Sequence, residues 1–124
     1  MSTILVVDDE KSLRTLYKRD LEGEGHEVFA TGRASEALDA IESDTPDLVV
    51  LDIRLPEMDG LDLMARILER HRGLPIILNT AYSSYKDNFL SWAADAYVVK
   101  SSDTTELRQR VREILARHAL AVCS

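Results

Sequence analysis

The chain has 124 residues, 45% hydrophobic and 30% charged, and 15 Lys+Arg against 22 Asp+Glu leave a formal charge of -7. That length and composition fit one soluble domain over residues 1–124 with a single core, and an acidic surface lacks the basic face that phosphate-backbone binding needs, so direct nucleic-acid contact is not expected. The lone Cys123 excludes an internal disulfide framework, and with no export-type leader and no apolar run near the about 18 residues that span a bilayer, the expected location is cytoplasmic and off the membrane.

Ile4-Leu5-Val6-Val7 is a continuous apolar run cut off by Asp8-Asp9-Glu10, the pattern of a strand buried on both faces. Leu13, Leu16, Tyr17 and Leu21 follow at helical spacing and stop at Gly23-Glu24-Gly25, where glycine suits a helix end. His26 to Thr31 reads as a weaker strand nearer an edge. Ala34, Ala37, Leu38 and Ile41 form a second helical stripe, closed by the turn residues Ser43 to Asp47. Leu48-Val49-Val50-Leu51 is a third buried-type run and ends in Asp52. Leu55 to Gly60 is loop chemistry, and Leu61, Met64, Ile67 and Leu68 mark a third helix face. Pro75 to Leu78 is a fourth run leading to Asn79-Thr80. Ser83 to Trp92 reads as a fourth helix with Phe89, Leu90 and Trp92 in the core beneath it. Ala96 to Val99 is a fifth run leading to Lys100. Leu107, Val111, Ile114 and Leu115 share one stripe of the last helix. Its arginines, Arg108 among them, read as a solvated face, with Glu106–Arg110 and Glu113–Arg117 as i,i+4 pairs.

Strands alternating with helices predict an α/β fold, (βα)5, with a doubly wound parallel five-stranded sheet. Ligands of such sheets bind beyond the carboxyl ends of the strands. The residues there are Asp8, Asp9, Asp52, Thr80 and Lys100. Any one Asp after a strand is ordinarily a helix cap or turn residue; all five at strand ends point to a site. Two carboxylates about 4 Å apart repel by about 4 kcal/mol at an effective dielectric near 20. Lys100 supplies one positive charge, and a hard divalent cation such as Mg²⁺ suits the remaining oxygen ligands. A carboxylate nucleophile, a metal, a lysine and a hydroxyl together favour phosphoryl transfer. His26, His71 and His118 lack metal-ligand spacing.

Val6-Val7-Asp8-Asp9-Glu10, Leu51-Asp52-Ile53-Arg54-Leu55-Pro56-Glu57-Met58-Asp59-Gly60, Thr80-Ala81 and Ala96-Tyr97-Val98-Val99-Lys100 resemble the receiver domain of two-component response regulators. The resemblance runs from the first strand to the fifth. It implies a CheY-like, flavodoxin-like strand order 2-1-3-4-5. It implies Asp52 as the phosphoacceptor, taking a phosphoryl group from the phosphohistidine of a sensor histidine kinase or phosphotransfer protein. It implies Mg²⁺ held by Asp8, Asp9, Asp52 and the Arg54 backbone carbonyl, and phosphoryl oxygens met by Lys100, Thr80 and the Ile53 and Ala81 amides. Thr80 and Tyr97 would act as switch residues, reshaping for a downstream protein the face of the fourth helix, fifth strand and fifth helix. A signalling module rather than an enzyme is implied, standing alone or as the receiver part of a longer regulator with an output domain. A small aspartyl-phosphate-forming phosphohydrolase is the rival class, but it wants a second acid where Arg54 stands. Lys100 is followed by Ser101 where the family usually has proline, so a trans bond, or a strained cis bond, is expected there.

Overall fold

The computed structural model describes residues 2–81 and 92–123. Five strands, β1 (Thr3–Val7), β2 (Glu27–Thr31), β3 (Leu48–Leu51), β4 (Ile76–Thr80) and β5 (Ala96–Val99), form one parallel sheet in the order β2-β1-β3-β4-β5. Four helices are present among the described residues: α1 (Lys11–Gly23), α2 (Ala34–Ser43), α3 (Gly60–Arg70) and α4 (Thr105–Cys123). The expected α/β architecture is therefore the observed one. The α4 label belongs to the last helix of the sequence pattern; the expected helix from Ser83, with Phe89 and Leu90, lies outside the described residues apart from its end at Trp92.

The runs of the central strands β1, β3 and β4 are almost wholly apolar because both faces of the sheet are covered there. One face carries Leu5, Val7, Val49, Leu51, Ile76 and Leu78 against α2 and α3. The other carries Ile4, Val6, Leu48, Val50, Ile77 and Val98 against Tyr17 and Leu21 of α1 and Leu107, Val111 and Ile114 of α4. Each fully buried Val, Leu or Ile side chain contributes about 1.5–3 kcal/mol relative to exposure, so this two-sided burial sets the order of the layers. β2 lies at an edge, as its weaker pattern implies, and Phe29 there is largely exposed. Asp59 starts α3 by accepting from the Leu61 amide at 2.7 Å, a cap of about 1 kcal/mol.

Two readings are corrected. Trp92 is 74% exposed rather than core: Ala94 and Tyr97 already pack on the α2/α3 face, and a helical stripe buries a ring only where a neighbour leaves space. The i,i+4 pairs on α4 do not close. Glu113 instead meets Arg110 at 3.7 Å and Gln109 at 3.1 Å, and Arg112 crosses to Glu24, just past the end of α1, at 3.2 Å. No helix among the described residues is long and apolar enough to cross a membrane.

Candidate functional site

The strand order turns back on itself between β1 and β3: the chain steps from β1 outward to β2 and then inward past β1 to β3. That gap is where an open α/β sheet accepts ligands. Asp8 follows β1 and Asp52 follows β3. The Asp52 amide donates to the Val7 carbonyl at 2.9 Å and the Asp8 amide to the Thr31 carbonyl at 3.0 Å, so both are held by an extension of the sheet ladder. Asp8 and Asp52 are buried and Asp9 is exposed, and oxygen atoms of the three carboxylates all lie within 4.8 Å of one another.

Lys100 reaches into this cluster from the end of β5. Its Nζ lies 2.8 Å from Asp8 Oδ2 and 2.9 Å from Asp52 Oδ2. Burial works against the lysine charge, but the hydrogen bonds to Asp8 and Asp52 outweigh it and hold the ammonium above its ordinary pKa. Burial pushes the Asp8 carboxyl up; Lys100 and the Glu10 amide pull the other way without cancelling it, and the nearby Asp52 adds to the rise. Asp8 is oriented from several sides. Its Oδ1 accepts from the Glu10 amide at 2.9 Å, and Arg14 Nη1 donates to its carbonyl at 2.8 Å. The latter contact was not legible in the sequence, since only the fold places α1 across the end of β1.

Thr80 closes β4 next to this group. Its carbonyl accepts from the Lys100 amide at 2.8 Å. The side chain is fully buried, and its Oγ1 has no hydrogen-bond partner. Ile53 is buried, and Ala81 lies exposed at the end of β4. Arg54 is exposed; its amide reaches Asp52 Oδ1 at 3.4 Å, and its backbone bridges Asp59. Tyr97 pairs with Leu78 between β4 and β5 and is partly buried against the α2/α3 face. The Lys100–Ser101 bond is trans, as is every described peptide bond.

Gly60 is a further requirement. A Cβ there would collide with the Asp52 carbonyl oxygen and come within 2.7 Å of the Ile53 Cα. The Gly60 amide donates to the Ile53 carbonyl at 2.6 Å. The first turn of α3 therefore lies directly against the backbone that carries Asp52.

Three carboxylates against one ammonium leave two negative charges uncompensated, the charge of one divalent cation. All the side-chain donors are hard oxygens, and Mg²⁺ takes such ligands. The residues present therefore fit the ion.

Fold and site together define a flavodoxin-like α/β domain with an acidic, lysine-bridged cluster at its switch point. The profile described as "Response regulator receiver domain" matches residues 4–112. The chain belongs to that family, the receiver domains of two-component response regulators. The response regulator TrrA of Thermotoga maritima, solved in complex with Mg(2+)-BeF, is 44% identical over 92% of this chain and 99% of its own, with a TM-score of 0.88. TrrA has also been solved in complex with the histidine kinase ThkA, where the match has a TM-score of 0.87 and covers 93% of this chain and 99% of the other. The alkaline phosphatase synthesis transcriptional regulatory protein PhoP of Bacillus subtilis is 37% identical over 98% of this chain and 51% of its own length. The chain thus spans about half the length of the curated relatives it matches.

Proposed function

We propose that this domain accepts a phosphoryl group on Asp52 from the phosphohistidine of a sensor kinase or phosphotransfer protein, and that the phosphorylated state is read by a downstream protein. The observation that carries this reading is the double bridge of Lys100 to Asp8 and Asp52 inside the three-carboxylate cluster. An Asp52 oxygen attacks phosphorus as the P–N bond breaks. The imidazole leaves with the bonding electron pair and takes up a proton. Asp8, Asp9, Asp52 and the Arg54 carbonyl would hold Mg²⁺, which when bound neutralises charge on the phosphoryl oxygens. Lys100, now bound to Asp52 Oδ2, stands ready to pair with one of those oxygens once Asp52 carries the phosphoryl group. The unpartnered, buried Thr80 hydroxyl is a donor for a second, and the Ile53 and Ala81 amides serve the remainder. This electrostatic positioning is the main work in phosphoryl transfer.

Thr80 and Tyr97 are the proposed switch. Thr80 ends the strand whose centre pairs with Tyr97, so a hydroxyl drawn to the phosphoryl group alters what Tyr97 packs against. A local charge change would thereby bias the face that contains β5 and α4. TrrA, in complex with a histidine kinase and with Mg(2+)-BeF in separate structures, supports the same partner class and metal here. The formal charge of -7 supports a protein rather than a nucleic acid as the direct partner of this domain.

The test is intact-mass measurement after incubation with Mg²⁺ and a small phosphodonor such as acetyl phosphate. The native chain should gain one phosphoryl group, and Asp52→Asn should gain none. Labelling of Asp52→Asn, or none in the native chain, overturns the assignment.

A further inference from the structure

Lys100 is followed by an exposed segment that is braced locally, the Asp103 amide donating to Ser101 Oγ at 3.2 Å. Residues 101–103 are Ser101, Ser102 and Asp103, all exposed, and no proline restricts them. A small cavity of about 30 Å³ adjoins the segment, lined by Tyr17, Asn79, Val98, Ser101, Thr104 and Leu107, among others. On the strand side the Lys100 amide is fixed to the Thr80 carbonyl. Asp103 caps α4 by accepting from the Thr105 amide at 2.9 Å and from the Thr105 hydroxyl, which ties the segment to the start of that helix.

Thr104 is the residue tied elsewhere. It is buried, and its hydroxyl donates to Asp20 Oδ2 on α1 at 2.6 Å while accepting from Arg108 Nε at 3.1 Å. Thr104 and Asp20 are 84 positions apart in the chain, so the contact joins two elements that only the fold brings together. Asp20 also meets Arg19 at 3.3 Å. The Thr104 hydroxyl is thus one hydrogen bond from a carboxylate anchored on α1, the helix whose start follows Asp8 and Asp9.

We propose that the Asp20–Thr104 hydrogen bond is a latch that positions Lys100 for phosphoryl transfer, and that both are positioning residues for the reaction at Asp52. The proposal rests on the reading of Asp52 as phosphoacceptor. Its physical basis is that Lys100 hangs on a four-methylene stem from the segment the latch anchors. Reactions of this kind lose about 10²-fold from a misplacement near 1 Å. Asp8, Asp9 and Asp52 are carried by β1 and β3, so loosening the β5–α4 segment would move Lys100 and leave the metal ligands in place.

The experiment compares rates of phosphorylation by acetyl phosphate with Mg²⁺ saturating, alongside Mg²⁺ affinity and amide hydrogen exchange in the metal-free protein. Thr104→Val keeps the bulk of the side chain and removes the donor, and Asp20, partly exposed on α1, can turn to water. The expected result is a rate lowered about tenfold, the loss of one hydrogen bond to a charged group, with Mg²⁺ affinity within about twofold of wild type. Exchange at the Lys100 and Ser101 amides should quicken. Asp20→Ala should behave alike, and Thr104→Ser, which keeps the hydroxyl, should restore the rate. In a Lys100→Met background Thr104→Val should cause no further loss. A wild-type rate in Thr104→Val, or the same loss with and without Lys100, overturns the latch while wild-type labelling stands. An unlabelled wild type overturns the reading of Asp52, and the proposal with it.

Discussion

Asp8 and Lys100 show how one charge pattern serves chemistry at a cost to folding. Asp8 is buried, and its carboxyl is held above its ordinary pKa because desolvation outweighs the help from Lys100. A raised carboxyl means that the folded state binds the proton more tightly than the unfolded chain does. Its favourable contribution is therefore complete below the unfolded value, about 3.9, and is lost as pH rises through the higher folded value. At neutral pH the ionised Asp8 is a net burden on the metal-free protein. Asp8→Asn should accordingly be more stable than wild type in chelator at pH 7, and the difference should shrink as pH falls through the window above the ordinary carboxylate value. Urea unfolding at a series of pH values measures it; a difference that grows on acidification would contradict the sign.

The join between the end of β3 and the start of α3 brings two stretches of backbone into close contact. Gly60 is there because the α3 turn touches the Asp52 and Ile53 backbone, and a methyl has no space. Overpacking of this kind costs about 1–3 kcal/mol. The neighbouring atoms are backbone and cannot swing aside, unlike the Arg14 guanidinium that crowds Gly32. Gly60→Ala should lower stability by about that amount and slow phosphorylation of Asp52 by acetyl phosphate, because the strain is relieved by moving the peptide that bears it. Denaturant midpoint and labelling rate together check this; a stable variant with an unchanged rate would show that α3 is free to retreat.

Taken whole, the molecule gathers three acids at one end of a sheet whose two faces are otherwise sealed by apolar packing. A cation that binds only this arrangement stabilises the fold by mass action, by about 2.7 kcal/mol at a hundredfold excess over Kd. Mg²⁺ should therefore raise the unfolding temperature of the native chain at pH 7. The gain should fade as pH falls toward protonation of Asp8 and be much smaller in Asp52→Asn. Thermal unfolding with Mg²⁺ and with chelator gives the comparison.

The five strands, the helices α1, α2, α3 and α4 and the rim residues Asp8, Asp9, Asp52, Thr80 and Lys100 were legible in the linear chain. Buried strands read as unbroken apolar runs, and the polar residue that ends each run must fall at the strand's carboxyl end. The family motifs added the strand order. What lay beyond reach were contacts between segments distant in sequence. Arg14 on the Asp8 carbonyl, Gly60 against Asp52, and Thr104 on Asp20 depend on crossing positions that no local pattern encodes. Trp92 misled for the same reason: helical spacing marks a face that could be buried, but only neighbouring elements decide whether there is space to bury it. Period and polarity are properties of adjacent residues and survive in the unfolded chain, whereas the bridging of two carboxylates by one ammonium exists only once β1, β3 and β5 stand in register.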